Sequence, residues 1–159
     1  MLSIRVITVG NLKEDYLRDA VAEYSKRLGG LCKLEVIQLK EAYVSDSPSQ
    51  AEINAALDSE GERILAKMSP RSYKIAMCVE GKQLSSEQFA ARIEQISSVS
   101  SEICFVIGSS HGISEKVKSA CDFRMSISLL TFPHQLMRVV LLEAIYRALN
   151  IIKGTKYHK

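Results

Sequence analysis

The residues best suited to chemistry lie in the carboxyl-terminal third of this sequence. The run Ile127–His134 precedes a long apolar stretch that contains Arg138, and Tyr157, His158 and Lys159 follow that stretch. Histidine can exchange a proton near neutral pH, and arginine can stabilise an anion. A lone histidine is more often structural than catalytic, and a buried arginine must be paired, so Arg138 could form an interface ion pair or contact a bound anion. Together the loop, the arginine and the terminus suggest a site near a dimer interface.

A long helix has to position these groups. The pattern predicts a strand that runs from Ile127 into a tight loop, then a helix from Gln135 to Lys153. Pro133 suits a first helical turn, where His134 would also lie, and Gly154 is a residue type at which helices end. The predicted helix is apolar on more than one face, although packing on its own sheet needs one stripe. We therefore expect part of it to meet another subunit.

A second candidate loop, Gly108–Gly112, follows a continuously apolar run. Glycine permits a positive φ and lets a ligand approach the backbone closely. The loop lacks the Gly-Lys-Ser/Thr ending of a P-loop, and it is not Gly-x-Gly-x-x-Gly. A plain strand-to-helix turn would also use two glycines, so the loop alone does not establish a ligand.

Strands alternate with helices along the chain, which predicts an α/β protein with a mostly parallel sheet and helices on both faces. Ligands bind such sheets beyond the carboxyl ends of the strands, so the loops at Glu80–Gly81, Gly108–Gly112 and Leu129–His134 are the candidates. The predicted strands are 2–9, 34–39, 73–79, 103–107 and 125–129, with a turn at 80–82. The predicted helices are 13–28, 52–68, 85–97, 114–121 and 135–153.

The composition indicates one domain over residues 1–159. Hydrophobic residues make up 47% and charged residues 25%, which is ordinary for a globular protein with a real core. Met1–Val9 has no signal-peptide pattern and no apolar run spans a membrane, so we expect a cytoplasmic protein. No two cysteines form Cys-x-x-Cys, which argues against a zinc site, and a reducing compartment disfavours disulfides. The cysteines are Cys32, Cys78, Cys104 and Cys121.

The net charge of +3 is unevenly distributed. The segment from Glu41 to Glu62 has six acidic residues and no lysine or arginine, whereas Ala120 to Lys159 has six basic residues against two acidic ones. The basic region is the better candidate for contact with a polyanion. Solvated surface charge would give the same pattern.

Four motifs taken together resemble one family. They are Phe105-Val-Ile-Gly108-x-x-x-Gly112, Leu130-Thr-Phe-Pro-His134-x-x-x-Arg138-Val, Glu143-x-x-Tyr146-Arg147-Ala148 and Tyr157-His158-Lys159. The joint pattern resembles the ribosomal RNA large subunit methyltransferase H family, which are pseudouridine N3-methyltransferases of the SPOUT class. Val9-Gly10 and Glu60-Gly61-Glu62 also fit, so the likeness covers essentially the whole chain.

The resemblance implies a SPOUT-like α/β fold with a carboxyl-terminal trefoil knot, an exception to the rule of unknotted chains. It further implies a homodimer, S-adenosyl-L-methionine as methyl donor, no metal, and a pseudouridine of large-subunit (23S) ribosomal RNA in the assembled ribosome as acceptor. Two positions depart from the family: Ser109 stands where a second glycine is common, and Met77 where leucine is usual. The implied donor site comprises Met77, Gly108, Ile127, Ser128, Leu129, Leu130, Thr131 and Phe132.

Methyl transfer to an imide nitrogen needs help with its proton and charge. We expect His158 to remove the proton, Arg138 to stabilise the developing imidate, and Tyr157 to stack on the base. The terminal residues can act in this way only if a dimer orders them. Two other classes stay open: a non-catalytic ribosome-associated protein, and a flavodoxin-like nucleotide binder with phosphate contacts at Gly108–Gly112.

Overall fold

The computed structural model describes residues 1–159 and shows an α/β protein built on one five-stranded parallel sheet. The strands are β1 (Ser3–Val9), β2 (Lys33–Leu39), β3 (Tyr73–Gln83), β4 (Glu102–Ile107) and β5 (Phe123–Ser126). Their order in the sheet is β2-β1-β4-β3-β5. The helices are α1 (Asp15–Leu28), α2 (Gln50–Lys67), α3 (Ser86–Ser97), α4 (Glu115–Ala120) and α5 (His134–Lys153). None of the helices is long and apolar enough to cross a membrane.

Alternation along the central strands builds a core on each face of the sheet. In β4, Ile103, Phe105 and Ile107 belong to the larger core, whereas Cys104 and Val106 belong to the smaller one. Helices α1, α3 and α5 pack together over the larger core, and α2 packs with α4 on the other face. Full burial of a side chain such as Phe105 contributes about 1.5–3 kcal/mol, so these helices are held firmly and the loops between them are fixed at both ends.

Strand β5 ends three residues earlier than the sequence predicts. The hydroxyl of Ser126 donates to the carbonyl of Ser128 at 2.9 Å, and the hydroxyl of Ser128 accepts from the N–H of Leu130 at 3.0 Å. These local bonds compete with strand pairing, because serine offers the backbone an alternative partner. The predicted strand over Ile127–Leu129 is therefore wrong, and this segment is a loop.

Strand β3 continues through the turn predicted at Glu80–Lys82. Met125 pairs with both Met77 and Lys82, so the pairing of β3 with β5 shifts register across an irregular segment. A Cβ on Gly81 would lie 2.6–2.8 Å from backbone atoms of β5, so only glycine fits this close approach. The predicted turn is wrong because a glycine inside a strand can mark a bulge as well as an end.

Helix α5 agrees with its prediction to within one residue. Pro133 is its N-cap, and Gly154 ends it with φ +75°. Leu141, Leu142 and Ile145 are buried in the larger core. This helix therefore has one end at the carboxyl edge of the sheet and the other end some 20 residues away.

Candidate functional site

A cavity of about 540 Å³ lies beside residues 77–80 of β3 and beyond the carboxyl ends of β4 and β5. The strands run parallel, so the carboxyl ends of β4 and β5 share one edge, and two of the loops expected from the sequence, Gly108–Gly112 and Leu129–His134, meet there. The third expected loop, Glu80–Gly81, is part of β3, and its Glu80 lines the cavity. The cavity has the size usual for small-ligand sites. Its lining comprises residues 77–80, 107–113, 126–128 and 130–134 together with Lys118 and Met137.

Most residues of the implied donor site line this cavity. They are Met77, Gly108, Ile127, Ser128, Leu130, Thr131 and Phe132. Leu129 does not line it, and its side chain lies 75% exposed on the outside of the loop. The loop after β5 thus turns Leu129 away from the cavity while the residues on both sides of it line the cavity, which residue spacing alone did not reveal.

The glycine loop is tightly closed. A Cβ on Gly108 would lie 2.2 Å from the carbonyl oxygen of Gly112, which leaves no room for any side chain. Gly112 has φ +96°, and its N–H donates to the carbonyl of Ser109 at 2.9 Å. Both glycines are therefore required by the turn itself, and the turn also brings bare backbone to the cavity wall.

Ser109, which stands where the resemblance implies a glycine, has a defined partner. Its hydroxyl donates to Glu60 Oε1 at 2.8 Å, and both residues are buried. Glu60 Oε2 accepts from the backbone N–H of Ala42 at 2.9 Å. This carboxylate ties the cavity loop to α2 and to the segment after β2, so the serine adds a restraint rather than an obstacle.

An ion pair lies on the β3 side of the cavity. The ammonium of Lys118 on α4 contacts the carboxylate of Glu80. The hydrogen bond from Lys118 lowers the pKa of Glu80, so the pair stays charged near neutral pH. Sequence reasoning missed Lys118 because α4 lies near Glu80 only as a result of the order of the strands in the sheet, which local sequence does not show.

Arg138 is 3% exposed and does not line the cavity. Its Nη2 donates to the carbonyls of Val9 at 3.0 Å and Gly10 at 2.7 Å, and its Nη1 donates to Gln38 Oε1 at 3.0 Å. Burial lowers the pKa of Arg138, and nearby Glu41 partly offsets this effect. Both Nη atoms of the arginine therefore have partners within its own chain, whereas its buried Nε has none. The expected role of Arg138 at a developing imidate stays a prediction.

The terminal residues fold back along α5 as far as its middle, at Glu143, and also contact Glu87 of α3. The hydroxyl of Tyr157 donates to Glu143 at 2.9 Å. Burial, together with this hydrogen bond, raises the pKa of Tyr157 to about 12. His158 contacts Arg147 through Nδ1 at 3.2 Å and Glu87 through Nε2 at 2.8 Å. Neither terminal residue lines the cavity of its own chain.

The distance along α5 explains this separation. Its first turn lines the cavity, and its last turn carries the terminal residues, with 20 residues between Pro133 and Gly154. At 1.5 Å per residue the helix is about 30 Å long. A terminal segment of five residues that folds back on α5 cannot reach its own cavity.

The cysteines and acidic residues form no second site. No group of three or more His, Cys, Asp or Glu side chains is placed to hold a metal ion. All four cysteines are free, and burial raises the pKa of Cys104 to about 12 and that of Cys32 to about 11. These two thiols are therefore protonated core residues.

The parallel sheet and the cavity at its carboxyl edge define an α/β protein with a candidate small-ligand site at the strand ends. Comparison with known families identifies which class of α/β protein this is. The family described as "Predicted SPOUT methyltransferase" matches residues 2–158, and the chain belongs to this SPOUT methyltransferase family.

Full-length relatives agree with this assignment. The chain is 53% identical over 159 residues to a Streptococcus thermophilus (strain CNRZ 1066) protein named ribosomal RNA large subunit methyltransferase H. It is 52% identical to the protein of that name from Streptococcus agalactiae serotype III (strain NEM316) and 46% identical to that from Clostridium beijerinckii. Each alignment covers 99% of this chain and 100% of the relative. The resemblance found in the motifs is thereby confirmed.

Proposed function

We propose that this protein transfers a methyl group from S-adenosyl-L-methionine to N3 of a pseudouridine in the large-subunit (23S) rRNA of assembled ribosomes, in the cytoplasm. The single observation that carries the proposal is the cavity at the carboxyl edge of the sheet, which gathers nearly all of the implied donor residues. The names of the relatives support large-subunit rRNA as the substrate.

The cavity fits this methyl donor in size and chemistry. Met77, Ile127, Leu130 and Phe132 provide an apolar wall for an adenine ring, and the bare backbone at Gly108 permits close contact. The donor supplies an electrophilic methyl carbon on a sulfonium. The protein has to hold that carbon and the acceptor nitrogen in line and about 3–3.5 Å apart, which can supply several kcal/mol of the barrier. We infer a trefoil knot in the chain around this cavity, within a single SPOUT domain, from membership of the family.

A homodimer completes the site in this proposal. Leu136 and Ile152 on α5 are 38% and 37% exposed, and Val139 and Val140 belong to neither core. These residues give α5 apolar surface that its own chain does not cover. If α5 packs antiparallel against α5 of a second copy around a two-fold axis, each terminal segment lies beside the other copy's cavity. Because α5 is long, this antiparallel pairing is the direct way to form a site from the cavity of one copy and the terminal segment of the other.

The terminal residues then act on the acceptor. His158 of the second copy takes the proton from N3, and Tyr157 of the same segment stacks on the base. To do so the segment must leave the contacts with Glu143 and Glu87 that it makes in a single chain. Arg138 contributes as a positioning residue, because it holds the end of β1 against the start of α5.

Two measurements test the proposal. Calorimetry with S-adenosyl-L-methionine should show binding, and ATP and flavin mononucleotide serve as competitors for the nucleotide-binder alternative. Mass analysis of 23S rRNA should then show one added methyl group on a pseudouridine after treatment of ribosomes that lack it, with free large subunits as the parallel substrate. Binding to ribosomes without methyl transfer would instead favour the non-catalytic alternative.

A further inference from the structure

His134 is a titratable residue of the cavity that the proposed function leaves unused. It is the first residue of α5, it is partly buried, and it is among the residues that line the cavity. Its imidazole makes no hydrogen bond within the chain, whereas His158 makes two. Two residues of α5 line the cavity, His134 and Met137, and only His134 carries an N–H on its side chain. Arg138, one turn later, is bound to the end of β1 instead.

The position of the ring is defined by the end of β1. A Cβ added to Gly10 would lie 3.4 Å from His134 Nε2, 3.4 Å from Glu41 Oε2 and 3.8 Å from Arg138 Nη2. The imidazole is thus confined between the β1 backbone and the cavity. It lies on the side of the cavity that faces β1, away from the ion pair of Glu80 with Lys118 on the β3 side.

We propose that His134 is the acceptor-side hydrogen-bond donor of this cavity, and that its N–H binds a carbonyl oxygen of the pyrimidine that is methylated. The proposal rests on the proposed function. An imide nitrogen lies between two carbonyls, so a donor at one carbonyl orients the nitrogen toward the methyl carbon. It also stabilises the negative charge that spreads to that oxygen as the proton leaves.

The reaction balances with this assignment. The N3 proton passes to His158 of the second copy, and the nitrogen electron pair forms the new bond to the methyl carbon. The electron pair of the broken carbon–sulfur bond stays on sulfur, which leaves S-adenosylhomocysteine. His134 donates a hydrogen bond throughout and ends the cycle in its starting protonation state.

Burial keeps the ring of His134 neutral at pH 7, because it is the largest effect on the pKa of His134 and lowers it. Among the nearby charges, Glu41 and Glu60 raise this pKa, and Arg138 and Lys13 lower it. A neutral ring suits a cavity that accepts a sulfonium cation, because an imidazolium there would repel it. The cofactor therefore binds better to the protein with a neutral His134. The affinity for the cofactor is full above the pKa of His134 and falls as the pH drops through that pKa.

Substitution of His134 tests whether this residue acts as a hydrogen-bond donor or has another role. His134→Ala should reduce kcat about 10²–10³-fold, the usual effect of losing one oxyanion donor, with the affinity for S-adenosyl-L-methionine at pH 8 unchanged. His134→Gln keeps an N–H donor and should recover most of the lost rate. Any one of three results would overturn the assignment. The first is an alanine variant whose rate stays within twofold of wild type, and the second is a glutamine variant as slow as the alanine variant. The third is loss of cofactor binding in both variants.

Two exposed charges provide matched controls of opposite sign. Glu41→Gln removes a charge that raises the pKa of His134, so the loss of cofactor affinity on acidification should move to lower pH. Lys13→Gln removes a charge that lowers it, so the loss should move to higher pH, and His134→Gln should abolish the dependence. Shifts of the same sign, or none, contradict the inference. Wild-type protein that binds the cofactor yet leaves rRNA unmethylated would instead overturn the proposed function, and this inference with it.

Discussion

Replacement of Gly108 by alanine tests the geometry of the cavity most directly. The new Cβ would lie 2.2 Å from the carbonyl oxygen of Gly112 and 2.7 Å from Ile113 Cγ1. Ordinary contact begins at 3.4 Å, so the overlap with the carbonyl oxygen is 3.4 − 2.2 = 1.2 Å. Because that neighbour is backbone, no rotamer change can relieve the clash, and the loop itself must move by about 1 Å.

This displacement predicts effects on stability and on binding. Overpacking of this kind costs about 1–3 kcal/mol. For a chain of this size each kcal/mol lowers Tm by about 2–4 °C, so we expect a decrease of about 2–12 °C in calorimetric melting. A misplacement of about 1 Å can lower a reaction rate by as much as about 100-fold, so methyl transfer should slow by about 10–100-fold. The Kd for S-adenosyl-L-methionine should also rise in titration calorimetry, because the moved loop narrows the cavity.

Two other glycines are the matched controls. Gly112→Ala meets no atom within 4 Å but forces alanine to φ +96°, so it should cost about 1–2 kcal/mol of stability without closing the cavity. Gly30→Ala meets no atom and has no positive φ, so it should be neutral or stabilising by about 0.4–1 kcal/mol. If Gly108→Ala binds the cofactor as tightly as Gly112→Ala, the loop does not contact the cofactor and the reasoning is refuted.

Three further outcomes are expected. Arg138→Met leaves the carbonyls of β1 without their donors, and urea unfolding should show a loss of about 2–4 kcal/mol; an unchanged midpoint would mean that these bonds contribute little. The double variant Leu136→Asp, Ile152→Asp should sediment as a monomer and lose methyl transfer while it still binds the cofactor, and retained transfer would exclude the antiparallel dimer. His158→Ala should slow transfer by about 10²–10⁴-fold with cofactor binding intact, and an unaltered rate would remove it from the mechanism.

Several features follow from local sequence. The alternation in β4 places its residues in two cores, and Pro133 and Gly154 delimit α5, because these patterns act over a few neighbouring residues. The loops beyond the strand ends were likewise expected at the cavity, since parallel strands place their carboxyl ends on one edge. Local signals failed at Gly81 and at Ile127–Leu129, where pairing with a distant strand and serine hydrogen bonds decided the outcome.

By itself, then, the sequence determined the kinds of elements, their approximate limits, the family motifs and the group of loops that could hold a ligand. Only the tertiary structure decided the partners of Arg138, which include Gln38 a hundred residues away, and the approach of Lys118 and His134 to one cavity. It also placed Leu129 outside the cavity and the terminal residues against α5, away from the cavity. The physical reason is that backbone preferences are short-range, whereas these contacts depend on the order in which the strands lie side by side.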